Sequence, residues 1–137
     1  MPLALGFDYG LSRIGIASGQ TLTQTATPIG AIKAQDGIPN WTEIETLLTE
    51  WKPDVVVVGL PLHADGEMSE MAVRAKKFGQ RIHGRFGVDV RYINEFETTR
   101  EARKLTAFYN KASDQHGALD AACASLILER WLGECDD

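Results

Sequence analysis

Cysteine and histidine are scarce in this chain of 137 residues, with two of the former and three of the latter, and long apolar runs are absent. No stretch approaches the ~20 residues of a membrane-spanning helix. Met1-Pro2-Leu3-Ala4 carries no basic stretch ahead of an apolar core, so no secretory leader is expected and the chain reads as cytoplasmic. Cys123 stands in an apolar run and Cys135 in the tail, with no Cys-x-x-Cys pair and no histidine cluster. That pattern argues for incidental thiols rather than a zinc site or a disulfide framework. Basic charge is also short: 14 Lys and Arg against 19 Asp and Glu leave a net charge of −5. Taken alone, that balance argues against indiscriminate attraction to nucleic-acid phosphates, and a nucleic-acid function needs a locally basic face or bound cations. What is present is ordinary folded-domain composition, 44% hydrophobic and 24% charged. The length suits one domain, residues 1–137, with a core that needs no crosslink.

Three short extended segments open the chain, Leu3 to Tyr9, Ser12 to Ser18 and Thr25 to Ala34. Gly10 and Gly19-Gln20 punctuate them, which predicts an antiparallel meander. The period then changes. Trp41, Ile44, Leu47, Leu48 and Trp51 recur at helical spacing behind Asn40 as N-cap, with Glu43 at the capping-box position and Lys52-Pro53-Asp54 as the stop. Asp54 to Gly59 is apolar on both faces, as a strand covered on both sides must be, and Gly59 to Gly66 reads as a loop. Met71, Ala75, Phe78, Ile82 and Phe86 place a helix over Glu67 to Phe86. A strand over Val88 to Ile93 and helices over Thr98 to Tyr109 and Asp114 to Leu132 complete the order βββαβαβαα. The expected fold is α/β: a five-stranded mixed sheet in strand order 3-2-1-4-5, flanked by helices.

Three carboxylates stand where apolar residues are expected. Asp8 ends the apolar first strand; it either bonds the following turn or acts as a ligand at a strand's carboxyl end, where open α/β sheets place their sites. Asp120 interrupts Gly117 to Leu128, a helix apolar nearly all round, and is either favoured there by the helix dipole or held by a cation. Glu95 lies in Asn94-Glu95-Phe96-Glu97, directly after the strand Val88 to Ile93 and on the same sheet edge as Asp8, whereas Glu97 suits the first turn of the next helix. If the three converge they repel unless a divalent cation compensates, and hard oxygen donors suit Mg²⁺ or Mn²⁺. Two such ions ~4 Å apart form the arrangement that hydrolyses phosphodiesters. His63, His83 and His116 are too scattered to form a base. Arg74, Lys77, Arg81 and Arg85 recur at three- and four-residue intervals on one side of their helix, as a solvated face or as phosphate contacts.

Leu5-Gly6-Phe7-Asp8-Tyr9-Gly10 with Ile14-Gly15-Ile16-Ala17 resembles the first hairpin of the YqgF (RuvX) family of the ribonuclease H-like superfamily. Val58-Gly59-Leu60-Pro61-Leu62 with Asp65-Gly66, Arg81-Ile82-His83-Gly84-Arg85-Phe86-Gly87-Val88, and Asp120-Ala121-Ala122 are similar too, in the family's order and spacing. The resemblance runs from about Leu3 to Leu132. It implies a ribonuclease H-like fold and a nuclease that processes the 5′ end of pre-16S rRNA, with Asp8, Glu95 and Asp120 as catalytic metal ligands. It further implies structured RNA or branched DNA as partner, with the ribosome a candidate, and no membrane. Asn94-Glu95-Phe96 replaces the family's usual Asp-Glu-Arg, and His116-Gly117-Ala118 its Lys-Gly-Lys, which thins the cationic contacts. The alternatives are a Holliday-junction-type DNA resolvase, or a ribosome or transcription factor that keeps the fold and holds RNA without cutting. Asp8-Tyr9-Gly10 also resembles the first phosphate loop of actin-like ATPases and sugar kinases, which need two such domains where this chain has the length of one.

Overall fold

The computed structural model describes residues 3–63, 65–96 and 118–134. The helix expected over Thr98 to Tyr109, and Glu97, Asp114, His116 and Cys135, lie outside the described residues. Strands β1 (Leu3–Asp8), β2 (Arg13–Gln20) and β3 (Thr25–Gln35) form the expected meander, with Leu3 opposite Gln20 and Asp8 opposite Gly15. Next come β4 (Ile38–Pro39), α1 (Trp41–Trp51), β5 (Val55–Leu62), α2 (Glu70–Phe86), β6 (Asp89–Phe96) and α3 (Ala118–Glu134). β5 runs parallel to both β1 and β6, so Val55 to Val58 is central.

The sheet has six strands, not five, in the order β4-β3-β2-β1-β5-β6. The addition is β4, which folds back on β3 through Asp36 and Gly37 at φ 51° and 81°. Two successive left-handed residues make the hairpin turn that Asp-Gly favours. With β4 set aside, the expected 3-2-1-4-5 order stands.

Three boundaries also move. β5 continues through Leu60-Pro61-Leu62, read from the sequence as loop, and all eight of its residues are buried. Its ladder with β1 ends at Phe7 opposite Val58, so Pro61 lies where β5 has β6 as its neighbour but no longer β1. Proline is tolerated in such a half-paired stretch. β6 runs on past Ile93, which puts Asn94 and Glu95 inside the strand, with Glu95 opposite Pro61. α2 begins at Glu70, three residues later than Glu67, because the chain first makes a turn in which Asp65 Oδ1 accepts from the Glu67 amide at 2.9 Å. The buried Ser69 then caps the helix, accepting from the Ala72 amide at 3.0 Å while its hydroxyl donates to the Pro61 carbonyl. α1 starts as expected, with Asn40 Oδ1 accepting from the Thr42 amide at 2.9 Å.

Strand alternation splits the core between the two faces of the sheet. Leu5, Phe7, Tyr9, Ile14, Ile16, Val56 and Val58 pack with Ile44 of α1 and with Phe78 and Ile82 of α2. Ala4, Ala17, Val55, Val57 and Ile93 pack with Ala124, Ile127, Leu128 and Leu132 of α3. Phe78 is the hub of the first layer: its ring centroid lies 5.7 Å from Phe7, 5.2 Å from Tyr9 and 6.0 Å from Trp41. Phe78→Ala should cost about 3–5 kcal/mol of folding free energy, read from the denaturant midpoint. Among the described residues no helix is long and apolar enough to cross a membrane.

Candidate active site

The small residues of the α3 face explain how a charged group comes to lie there. On β2 the alternation that turns Ile14 and Ile16 to the α2 layer turns Arg13, Gly15 and Ala17 towards α3. A β carbon on Gly15 would stand 2.0 Å from the Asp120 carbonyl oxygen, so only glycine lets the first turns of α3 settle on the sheet there. That contact fixes Asp120 beside the strand residue opposite Asp8.

Asp8 continues the parity of Ala4 and faces α3 from the end of β1, with 2% of its surface exposed. Glu95 shares the parity of Ile93 on β6 and is 3% exposed. Asp8 Oδ2 and Glu95 Oε2 are both sealed from solvent. Between their strands β5 contributes Gly59, where a β carbon would stand 3.3 Å from Glu95 Oε2 and 2.9 Å from Ile127 Cδ1. The bare glycine lets Ile127 of α3 and the Glu95 carboxylate pack closely against β5.

All three acids singled out in the sequence therefore occupy one face of the sheet, towards the same strand ends. They do not close on one point: among the described residues no group of three or more His, Cys, Asp or Glu side chains stands together as an ion site. Asp120 is engaged elsewhere, its Oδ2 accepting from Arg13 Nε at 3.0 Å. Arg13 was not singled out from the sequence. The available signal was its place two residues before Gly15, which by strand parity puts it on the face that carries Asp8.

The basic stripe lies on the other face. α2 packs in the layer opposite α3, so Arg74, Lys77, Arg81 and Arg85 are separated from the acids by the sheet. Arg74 is nearest the strand ends, since α2 starts from Ser69 bonded to β5, and its Nη1 reaches Asp36 Oδ1 at 3.5 Å. Lys77 and Arg81 are exposed. Arg85 lies with its guanidinium carbon 4.4 Å from the Trp41 ring centroid, a cation–π contact. The sequence placed the stripe on one side of a helix but could not say which face of the sheet that helix covers.

Comparison with known proteins decides the family. The model of the RuvX family, described as Holliday junction resolvase, matches residues 3–134. The chain belongs to the RuvX family. A relative from Aeromonas hydrophila subsp. hydrophila named "Putative pre-16S rRNA nuclease" is 53% identical over 131 residues, 95% of this chain and 94% of its own length. One of the same name from Pseudomonas fluorescens is 48% identical over 134 residues, 96% and 92% of the two chains. Among solved structures, RuvC of Thermus thermophilus in complex with Holliday junction substrate has a TM-score of 0.57 at 13% identity, covering 98% of this chain and 95% of that one. The fowlpox virus Holliday junction resolvase has a TM-score of 0.53 at 19% identity, over 97% and 99%. The fold is thus the ribonuclease H-like fold of the resolvases. Family and relatives together support a nuclease, a hydrolase of phosphodiester bonds in nucleic acid.

Proposed function

We propose that this RuvX-family nuclease is metal-dependent and trims the 5′ end of pre-16S rRNA in the cytoplasm, with Asp8, Glu95 and Asp120 as its catalytic carboxylates. The observation that carries the reading is that two sealed carboxylates, Asp8 and Glu95, flank the bare backbone of Gly59 on the face that α3 closes with Asp120. The donor set is all hard oxygen, which fits Mg²⁺ or Mn²⁺. Bound there, one or two such ions supply charge stabilisation at the phosphate and a lowered pKa for an attacking water. The protein's own part is placement. Asp8 and Glu95 are held by β1 and β6, on either side of β5 in one sheet, and Asp120 by a helix pressed onto Gly15. None of the three has to accept the proton.

RNA is favoured over branched DNA because the relatives named for pre-16S rRNA are about half identical to this chain, whereas the junction-binding structures share its fold at 13–19% identity. Arg74, Lys77, Arg81 and Arg85 hold backbone phosphates of a strand that leaves the site around the end of the sheet. They position the RNA without reading its sequence. Arg81 lies seven residues beyond Arg74, about 10 Å along α2. Arg81→Ala should weaken RNA binding and reduce the slope of log affinity against log salt by about one, while leaving turnover at saturating RNA. Filter binding at several salt concentrations checks this.

The test in cells is 5′-end mapping of 16S rRNA after depletion of the protein. Accumulation of 5′-extended 16S RNA is the expected result, and restoration by wild type but not by Asp8→Asn assigns it to this site. Mature ends throughout depletion would refute the rRNA substrate. Holliday-junction cleavage by the same preparation would then favour the resolvase reading.

A further inference from the structure

Arg13 opens β2 at the rim of the α3 face and touches the candidate site directly. Its Nε donates to Asp120 Oδ2 at 3.0 Å; the Arg13 side chain is 45% exposed and that of Asp120 15%. The contact uses one of the five guanidinium donors, and the planar fork that makes arginine strong in bidentate pairs is not used. A one-point ion pair with its cation half in water is weak and readily exchanged. The same carboxylate is the one that the nuclease reading requires as a metal ligand, and it is turned to Arg13 rather than joined with Asp8 and Glu95 in an ion site.

We propose that Arg13 is a resident counter-cation for Asp120, exchanged for the divalent ion when the site loads. The inference rests on the metal-dependent reading above. The physical reason is competition for one carboxylate. A divalent ion carries twice the charge in a smaller radius, and it repels a guanidinium held on the same group. Arg13 therefore leaves Asp120 as the ion arrives. The pair also offsets the charge of Asp120 on a face that already buries Asp8 and Glu95. Once released, the guanidinium remains at the half-exposed rim beside Asp120. Arg13 acts through Asp120 and is a positioning residue.

Calorimetric titration with Mn²⁺ tests this on the full chain. Arg13→Gln removes the competitor and should bind Mn²⁺ roughly two- to fivefold more tightly than wild type, the range a weak exposed ion pair allows. Arg130→Gln removes the same charge farther along α3, from an arginine that pairs with Glu134, and should leave the affinity within about twofold. A second readout uses the wild-type fold: the Arg13 Nε–Hε resonance should shift as Mg²⁺ is added, in step with calorimetric saturation. In Asp120→Asn it should not shift. Wild-type binding with no gain in Arg13→Gln, or an Arg13 resonance that stays put at saturating Mg²⁺, overturns the exchange alone. Absence of Mn²⁺ binding in both wild type and Arg13→Gln overturns the metal-dependent reading and the exchange with it.

Discussion

Asp8→Asn is expected to remove Mn²⁺ binding and to lower RNA cleavage by more than about a hundredfold. Loss of an outer-sphere partner of a metal ligand typically costs about 10–100-fold, and loss of a direct ligand should exceed that. The exchange preserves the shape of a side chain that is 2% exposed, and it removes one of the like charges gathered on the α3 face. Its thermal midpoint should therefore stay close to that of wild type, which separates lost chemistry from lost fold. Calorimetry, cleavage of labelled RNA and a melting curve check the three parts. Mn²⁺ binding equal to wild type would remove Asp8 from the ligand set.

Asp120→Asn should likewise abolish cleavage, yet leave RNA binding intact or tighter. Asp120 lies nearer the surface than Asp8 and Glu95, so its charge opposes an approaching phosphate more directly. Neutralising it removes that repulsion together with a ligand. The signature is a split: turnover falls while the dissociation constant for RNA holds or drops. Asp120→Asn that cuts as fast as wild type in Mg²⁺ or Mn²⁺ would refute the nuclease mechanism and favour an RNA-holding protein that does not cut.

Much of this was legible in the sequence, for physical reasons. Val55 to Val58 is apolar on both faces because helices cover both sides of β5, and the meander showed in the glycines between short apolar runs. Asp8 and Asp120 stood out because a charge in an apolar run needs a reason. What escaped notice lay where local rules meet tertiary context. Gly59 and Pro61 read as strand breakers, yet β5 continues through them, since β1 has already ended beside it. The two residues of β4 are too few to show periodicity, although Asp36-Gly37 announced the turn. α2 starts at Glu70 rather than Glu67, because Ser69 caps it while its hydroxyl also meets the Pro61 carbonyl. The side of the sheet that each helix covers is decided by packing across the sheet. Hence the three acids share one face of the sheet without meeting at one point, while the basic stripe lies behind them and Arg13 in front.

The most direct measurement is to incubate the purified protein with a 16S precursor RNA that carries its 5′ extension, in Mg²⁺, in Mn²⁺ and in chelator, beside Asp8→Asn. The account predicts shortening from the 5′ end in Mg²⁺ or Mn²⁺, none in chelator and none with Asp8→Asn. An RNA that is bound but left uncut in both ions, or is cut equally well by Asp8→Asn, would contradict it.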